Sequence, residues 1–436
     1  MEIKKEKEKI NFVFFNSKFI IAASLLAYYF FGFYTDENSA GAGGYNADLG
    51  LIWNNLNLLK EDIFLNLNNP LYNDSRTPLL YILHILFNPF INDLVTFRTS
   101  VFLISSTVPL LLFLAVKENY PKLDKNIVLL LALIVTLSPY FRTSSFWGLS
   151  ENYAFIFLIL SYLVYQKLNK NILIYKDIKI FFFILLICFL SSIIVYLDQK
   201  LIFIPLIFFF NLILSNLNNK FKYFSALLFF LFAIPYIYLI YLWGSIIPTS
   251  AAHAREVGSQ FHIFNPIYCL IIIAFYIFPF LLIKEKKISP LINQLKTKET
   301  FVVIFFSILF FLSALYFGDF KNLTTDGKGA FFKLSNIFFD DIYSRIFITL
   351  VVFITSCIII SLFFDKRANL FIILFFFILS GLTYPFYQEY LDPIIYILIF
   401  TFFNIKLDLK INNIYFLIIY FAIFSLGSKF YYNLIL

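Results

Sequence analysis

Charge is scarce in this sequence. Only 14% of its 436 residues are Asp, Glu, Lys or Arg, and 61% are hydrophobic. A soluble domain carries about 25% charged and about 45–50% apolar residues. A water-soluble chain of this length would need polar surface that is missing here, so a soluble globular protein is excluded. Cysteine is nearly absent as well. Cys188, Cys269 and Cys357 lie far apart inside apolar runs. That excludes a disulfide framework and leaves them as small apolar fillers. No small-residue cleavage site follows the first apolar run, 19–33, which comes after a lysine-rich start. The run is therefore expected to be an uncleaved first span. The paired, interrupted apolar segments that mark many secondary transporters are not evident either.

Long apolar runs and aromatics are abundant, with 62 Phe and 29 Tyr. Segments of about 17–25 mostly apolar residues can cross a bilayer as helices. They fall near 18–34, 95–116, 126–141, 150–166, 178–196, 200–215, 223–243, 265–283, 300–317, 345–364, 368–385, 392–405 and 412–430. The expected fold is an all-α polytopic bundle of about 11–14 transmembrane helices. With the N-terminus in the cytoplasm, the inner segments hold 23 basic and 10 acidic residues (23 − 10 = +13). The outer segments hold 11 and 16 (11 − 16 = −5), and the two sum to the formal charge of +8. This asymmetry is what the positive-inside rule requires. The basic balance thus reports orientation, and no nucleic-acid partner is implied.

Five of the six arginines fall on the outer side: Arg76, Arg98, Arg142, Arg255 and Arg345. Arginine's planar fork suits phosphate and carboxylate. Either these residues pair with outer acids, or the outer face handles an anion. The first outer loop, 35–94, is much the longest, and long loops in compact domains are usually functional. Leu49, Ile52, Trp53, Leu56 and Leu59 recur there at helical spacing, so an amphipathic helix lying on the membrane surface is expected.

Four outer clusters could carry chemistry. Tyr34-Thr35-Asp36-Glu37 closes the first span, where a helix C-terminus and partial desolvation disfavour charge and could make a general base. Ser138-Pro139-Tyr140-Phe141-Arg142 and Ser150-Glu151-Asn152-Tyr153 flank a tight turn, and Glu151 is either a helix-start charge or part of a site. Tyr196-Leu197-Asp198-Gln199-Lys200 joins two spans. Its ionisable pair either neutralises itself or is functional. His253 and His262 share a loop with Arg255. Nine residues separate the two histidines, which does not suit a metal site, so donors to a phosphate or a sugar hydroxyl are the expectation here. His84 reads as a structural histidine.

These clusters, in this order, resemble the dolichyl-phosphate-glucose α-1,2-glucosyltransferase family of the GT-C superfamily of multi-span glycosyltransferases. The resemblance runs in patches over 30–285. It rests on Tyr34-Thr35-Asp36-Glu37, Thr77-Pro78-Leu79-Leu80-Tyr81, Ser138-Pro139-Tyr140-Phe141 with Ser161-Tyr162-Leu163, and Phe261-His262-Ile263-Phe264-Asn265-Pro266. Asp198-Gln199 stands where the family has Arg-Gln. Gln388-Glu389-Tyr390-Leu391-Asp392-Pro393 is the nearest match to the family's late Asp-Asn-Arg-His-Tyr run.

The resemblance implies inverting transfer of a sugar from a polyprenyl-phosphate donor to an acceptor hydroxyl, on the extracytoplasmic face. The acceptor would be a glycan, a lipid-linked oligosaccharide or a polypeptide. It implies Asp36 as base with Glu37 orienting the acceptor. Arg142, Lys200, Arg255, His253 and His262 would sit on the donor phosphate, and Tyr34, Arg76, Glu151, Asp198 and Gln199 would line the substrate site. No cofactor or metal is implied. Three parts are expected: a basic cytoplasmic segment 1–17, a catalytic module 18–285 and a C-terminal module 286–436. The expected location is the plasma (inner) membrane of a bacterium or the endoplasmic reticulum of a eukaryote. A transporter or flippase for a lipid-linked or anionic solute is the alternative. It would keep its ionisable residues near mid-membrane, whereas here they gather at the outer boundary.

Overall fold

The computed structural model describes residues 2–41, 45–248, 260–285, 296–321, 323, 327–364, 367–403 and 405–435. Helices account for the regular structure of these residues, and no strand occurs among them. In chain order the main helices are α1 (Glu2–Tyr34), α2 (Gly50–Glu61), α3 (Leu79–Phe87), α4 (Leu94–Ser105) and α5 (Thr107–Asn119). Next come α6 (Lys125–Leu133), α7 (Pro139–Trp147), α8 (Ser150–Asn171), α9 (Asp177–Leu197), α10 (Phe203–Leu214) and α11 (Asn219–Trp243). The remainder are α12 (Asn265–Glu285), α13 (Lys298–Phe317), α14 (Gly329–Phe338), α15 (Ile342–Phe363), α16 (Arg367–Gly381), α17 (Ile394–Phe400) and α18 (Ile411–Phe430).

Among the described residues seven helices are long and apolar enough to cross a membrane: Leu94–Asn119, Asp177–Leu197, Asn219–Trp243, Asn265–Glu285, Lys298–Phe317, Ile342–Phe363 and Ile411–Asn433. Each coincides with an expected span, and together they make this a multi-pass helical membrane protein. Three further expected spans are shorter apolar helices, Lys18–Tyr34, Gln199–Leu214 and Asn369–Gly381.

The other three expected spans depart from the expectation for local reasons. The segment over 126–141 is broken and bent by 73° between Leu137 and Pro139. Proline disfavours a helical residue before it, and Ser138 is accordingly extended (φ −64°, ψ 123°) and caps α7 by accepting from the Phe141 amide. The bent pair counts as an eighth span at most. α8 is long enough, but it opens on Ser150-Glu151-Asn152 and closes on lysines, and it is not among the seven. The segment 392–405 forms only the seven-residue α17, every residue of which is buried inside the protein.

The amphipathic helix of the first loop exists as α2, but its environment differs from expectation. Leu49, Ile52, Leu56 and Leu59 are buried by protein, and Trp53 packs on Phe97 with ring centroids 5.5 Å apart. α2 docks on α3, which covers the face expected to rest on lipid. α3 itself carries His84, buried and bonded to Asn88 at 2.9 Å. Burial pushes the His84 imidazole down to about 4, as a structural histidine requires.

Candidate functional site

Most of the described residues singled out in the segments expected to lie outside fall into two separate ionic centres. The first closes α1. Asp36 ends the helix in the left-handed region (φ 50°). The Glu37 amide reaches back to the Gly32 carbonyl at 2.9 Å and the Asp36 amide to the Phe33 carbonyl at 3.3 Å, which is the Schellman pattern of a helix stop. Aspartate tolerates this conformation better than most residues. The Asp36 carboxylate accepts from Arg98 Nη2 at 2.7 Å and from Trp147 Nε1 at 3.2 Å.

Glu37 points inward. Arg142 grips it with two bonds, Nε to Oε1 at 3.0 Å and Nη2 to Oε2 at 2.7 Å, and Lys429 adds a third at 3.2 Å. Both side chains of the Glu37–Arg142 pair are 0% exposed. The guanidinium also donates to the Thr136 and Tyr28 carbonyls and stacks 3.9 Å above the Tyr28 ring. Gly32 is required beside it, since a Cβ there would collide with Arg142 and Phe146. Arg142 is thus enclosed and engaged. Tyr34, by contrast, is 87% exposed.

The second centre is built on a different turn. Tyr196 lies in the last turn of α9, Asp198 is extended and caps the short 3-10 turn Gln199–Leu201, and its carboxylate accepts from the Lys200 amide at 3.1 Å. Loop 75–77 lies against this turn: Gln199 donates to the Ser75 carbonyl at 3.1 Å, and the Thr77 hydroxyl donates to the Tyr196 carbonyl. Arg76 is thereby set against Glu151, to which it donates, and lies 3.8 Å from Asp74. Lys200 Nζ lies 3.7 Å from Glu151, 3.6 Å from Asp198 and 3.6 Å above the Tyr390 ring.

Arg76, Lys200, Asp198, Gln199 and Tyr390 lie together on the wall of a cavity of about 1080 Å³. Most of the remaining wall is apolar, including Leu206, Phe209, Phe229, Phe232, Ile237 and Ile240 from α10 and α11. α11 is largely uncovered by protein, with only 17% of its apolar window buried. Pro235 breaks the hydrogen-bond ladder of α11. The Tyr196 hydroxyl enters the neighbouring turn, donating to the Phe232 carbonyl at 2.6 Å and accepting from the Tyr236 amide at 3.0 Å. That fixes α9 to α11 at the cavity wall. His262 stacks on the cavity-lining Tyr384 at 4.6 Å. His253 and Arg255 lie outside the described residues.

The expected site residues therefore divide. Arg76, Glu151, Asp198, Gln199 and Lys200 come together, and His262 approaches the same cavity. Asp36, Glu37 and Arg142 form the other centre, and none of them lines the cavity. Of the arginines expected on the outer side, four are described; three pair with acids, and Arg345 donates to Asn336 at 3.0 Å.

Glu389 was not among the expected site residues, although its stretch was matched to the family's late motif. It precedes the cavity-lining Tyr390 and interacts electrostatically with Lys200, Glu151, Arg76 and Asp48. Loss of hydration pushes its carboxyl up to about 7, and Asp198 is raised for the same reason. Asp392 supports this turn from behind. It accepts from the Ser138 hydroxyl at 2.7 Å, and loss of hydration raises it to about 7. Gln388 donates to the Tyr276 hydroxyl at 3.1 Å and accepts from the Ala330 amide at 2.8 Å. Spacing alone could not single out Glu389, because its setting depends on residues far apart in the chain.

Among the described residues no three His, Cys, Asp or Glu side chains are grouped to hold a metal ion. No family model matches this chain, and no curated protein or solved structure compared with it matches either.

Proposed function

We propose that this protein is a membrane glycosyltransferase that moves a sugar from a polyprenyl-phosphate donor to an acceptor hydroxyl on the extracytoplasmic face. The observation that carries the reading is the cavity: a largely apolar cleft between spans, with an arginine and a lysine together on its wall. A polyprenyl phosphate has that same division, a hydrocarbon chain and an anionic head. Arg76 and Lys200 are the cations for the phosphate. As the glycosidic bond breaks, charge develops on the phosphate oxygen that leaves, and fixed cations in a partly dehydrated site stabilise it.

The base is assigned to Glu389 in place of Asp36. Loss of hydration raises its carboxyl to about 7 and it interacts electrostatically with Lys200 and Arg76, which suits proton abstraction from an attacking hydroxyl. Asp36 is instead held by Arg98 and Trp147 at a helix stop. Arg142 is excluded from the phosphate role by its enclosure with Glu37.

The test is a transfer assay with purified protein and a radiolabelled polyprenyl-phosphate hexose, read as release of polyprenyl phosphate. Lys200→Met should lower release at least 100-fold, and Lys200→Arg should retain part of it. Unchanged release in Lys200→Met would overturn the phosphate assignment. Movement of intact donor across vesicle membranes without bond cleavage would favour the flippase reading, which the same cleft also fits.

A further inference from the structure

Arg76 and Lys200 are fixed by different means. Arg76 donates a hydrogen bond to Glu151 and lies 3.8 Å from Asp74. Lys200 Nζ stands 3.7 Å from Glu151 and 3.6 Å from Asp198. Both gaps exceed the about 2.7–2.9 Å of a charge-assisted hydrogen bond. Among the described residues the Lys200 ammonium donates no hydrogen bond to either carboxylate, although it carries N–H donors and no acceptor.

The ammonium rests instead on a ring. Tyr390 lies beneath it, with Nζ 3.6 Å from the ring centroid. A cation within about 6 Å of a ring centroid is attracted by the negative π face. Such a contact holds the charge without engaging an oxygen acceptor. Tyr390 is itself fixed. Its hydroxyl donates to the Pro385 carbonyl at 3.3 Å, and Phe386 and Tyr387 pack edge-on to its ring with centroids 5.8 Å away. Gln388, in the same 3-10 turn, is tied to Tyr276 and Ala330. The ring is thus a firm platform on the cavity wall, set against a side chain with a flexible four-carbon stem. Without it the stem would let the ammonium swing onto Asp198 or Glu151, and its donors would be spent on a carboxylate.

We propose that the face of Tyr390 is the positioning element of the phosphate site: it holds the Lys200 ammonium off Asp198 and Glu151 and keeps N–H donors available to the anion. Tyr390 acts through Lys200 and is a positioning residue. The inference rests on the phosphate reading above, and its test separates the two.

The purified full chain in detergent would be titrated with polyprenyl phosphate, which carries no sugar and requires no transfer. The variants are Lys200→Met, Tyr390→Leu, Tyr390→Phe, and the same Tyr390→Phe replacement carrying one, two or three ring fluorines. Fluorine drains the π face with little change of shape. Binding should weaken about tenfold in Tyr390→Leu, stay within about twofold of wild type in Tyr390→Phe, and fall stepwise with each fluorine while the unfolding transition stays put. Equal binding across the fluorinated series, with binding lost in Lys200→Met, would overturn the inference and leave the phosphate reading intact. No binding by the wild type, or unchanged binding in Lys200→Met, would overturn the phosphate reading and the inference with it. If Tyr390→Leu fails to fold, the fluorinated series decides alone.

Discussion

Glu37→Gln removes one charge from the most enclosed ion pair among the described residues, with little change of shape. In the wild type the carboxylate receives two bonds from Arg142, at 3.0 and 2.7 Å, and one from Lys429 at 3.2 Å. Neither Glu37 nor Arg142 has any exposed side-chain surface, so water cannot replace the lost charge. Breaking a buried pair by removing one partner costs about 3–5 kcal/mol, because the other charge stays buried and uncompensated. Lys429 is 35% exposed and can turn to solvent, so Lys429→Met should cost at most about 1 kcal/mol. Replacing both members, as in Glu37→Leu with Arg142→Met, should cost less than either single change, since no orphaned charge remains. The assay is reversible unfolding in mixed detergent micelles, with wild type, Glu37→Leu, Arg142→Met and the double variant forming a double-mutant cycle around the pair. Single-variant costs below about 1 kcal/mol that add without coupling would refute this reasoning.

Two further outcomes follow from the same geometry. Glu389 acts in its ionised form and titrates near 7, so transfer should rise with pH through about 7 and level off above it; Glu389→Gln should abolish transfer, and a pH-independent rate between pH 5.5 and 8.5 would contradict the assignment. Asp36→Asn keeps a residue that tolerates the left-handed conformation and loses only the half-exposed pair with Arg98, so it should cost about 1 kcal/mol or less and leave transfer within twofold of wild type; abolished transfer at normal expression would restore Asp36 as the base.

The seven long spans were legible in the sequence because a bilayer imposes length and apolarity directly on consecutive residues. The first-loop helix was legible for the same reason, since helical periodicity is local. Its burial was not, because Leu49, Ile52, Leu56 and Leu59 look alike whether they meet lipid or α3. The break at Ser138-Pro139 was visible as a proline but not as a 73° bend. α17 illustrates the converse failure, an apolar run that fills the interior and spans nothing.

Ion pairing divided the candidate residues in a way that order along the chain could not. Asp36 and Glu37 are neighbours in sequence, yet one faces Arg98 and the other Arg142, because the helix stop between them turns the chain. Arg76 and Lys200 stand 124 positions apart and share Glu151. Glu389 interacts with them electrostatically from far along the chain, a relation that only the fold creates.

The cleft headed by Arg76 and Lys200 is proposed to receive a polyprenyl phosphate. The most direct test is an electron cryo-microscopy structure of the full chain with a non-transferable polyprenyl phosphonate. The account predicts phosphonate density within hydrogen-bonding distance of Arg76 and Lys200, and chain density between 203–214 and 219–243. Phosphonate density at Asp36 and Arg98, or an empty cleft at saturating ligand, would contradict it.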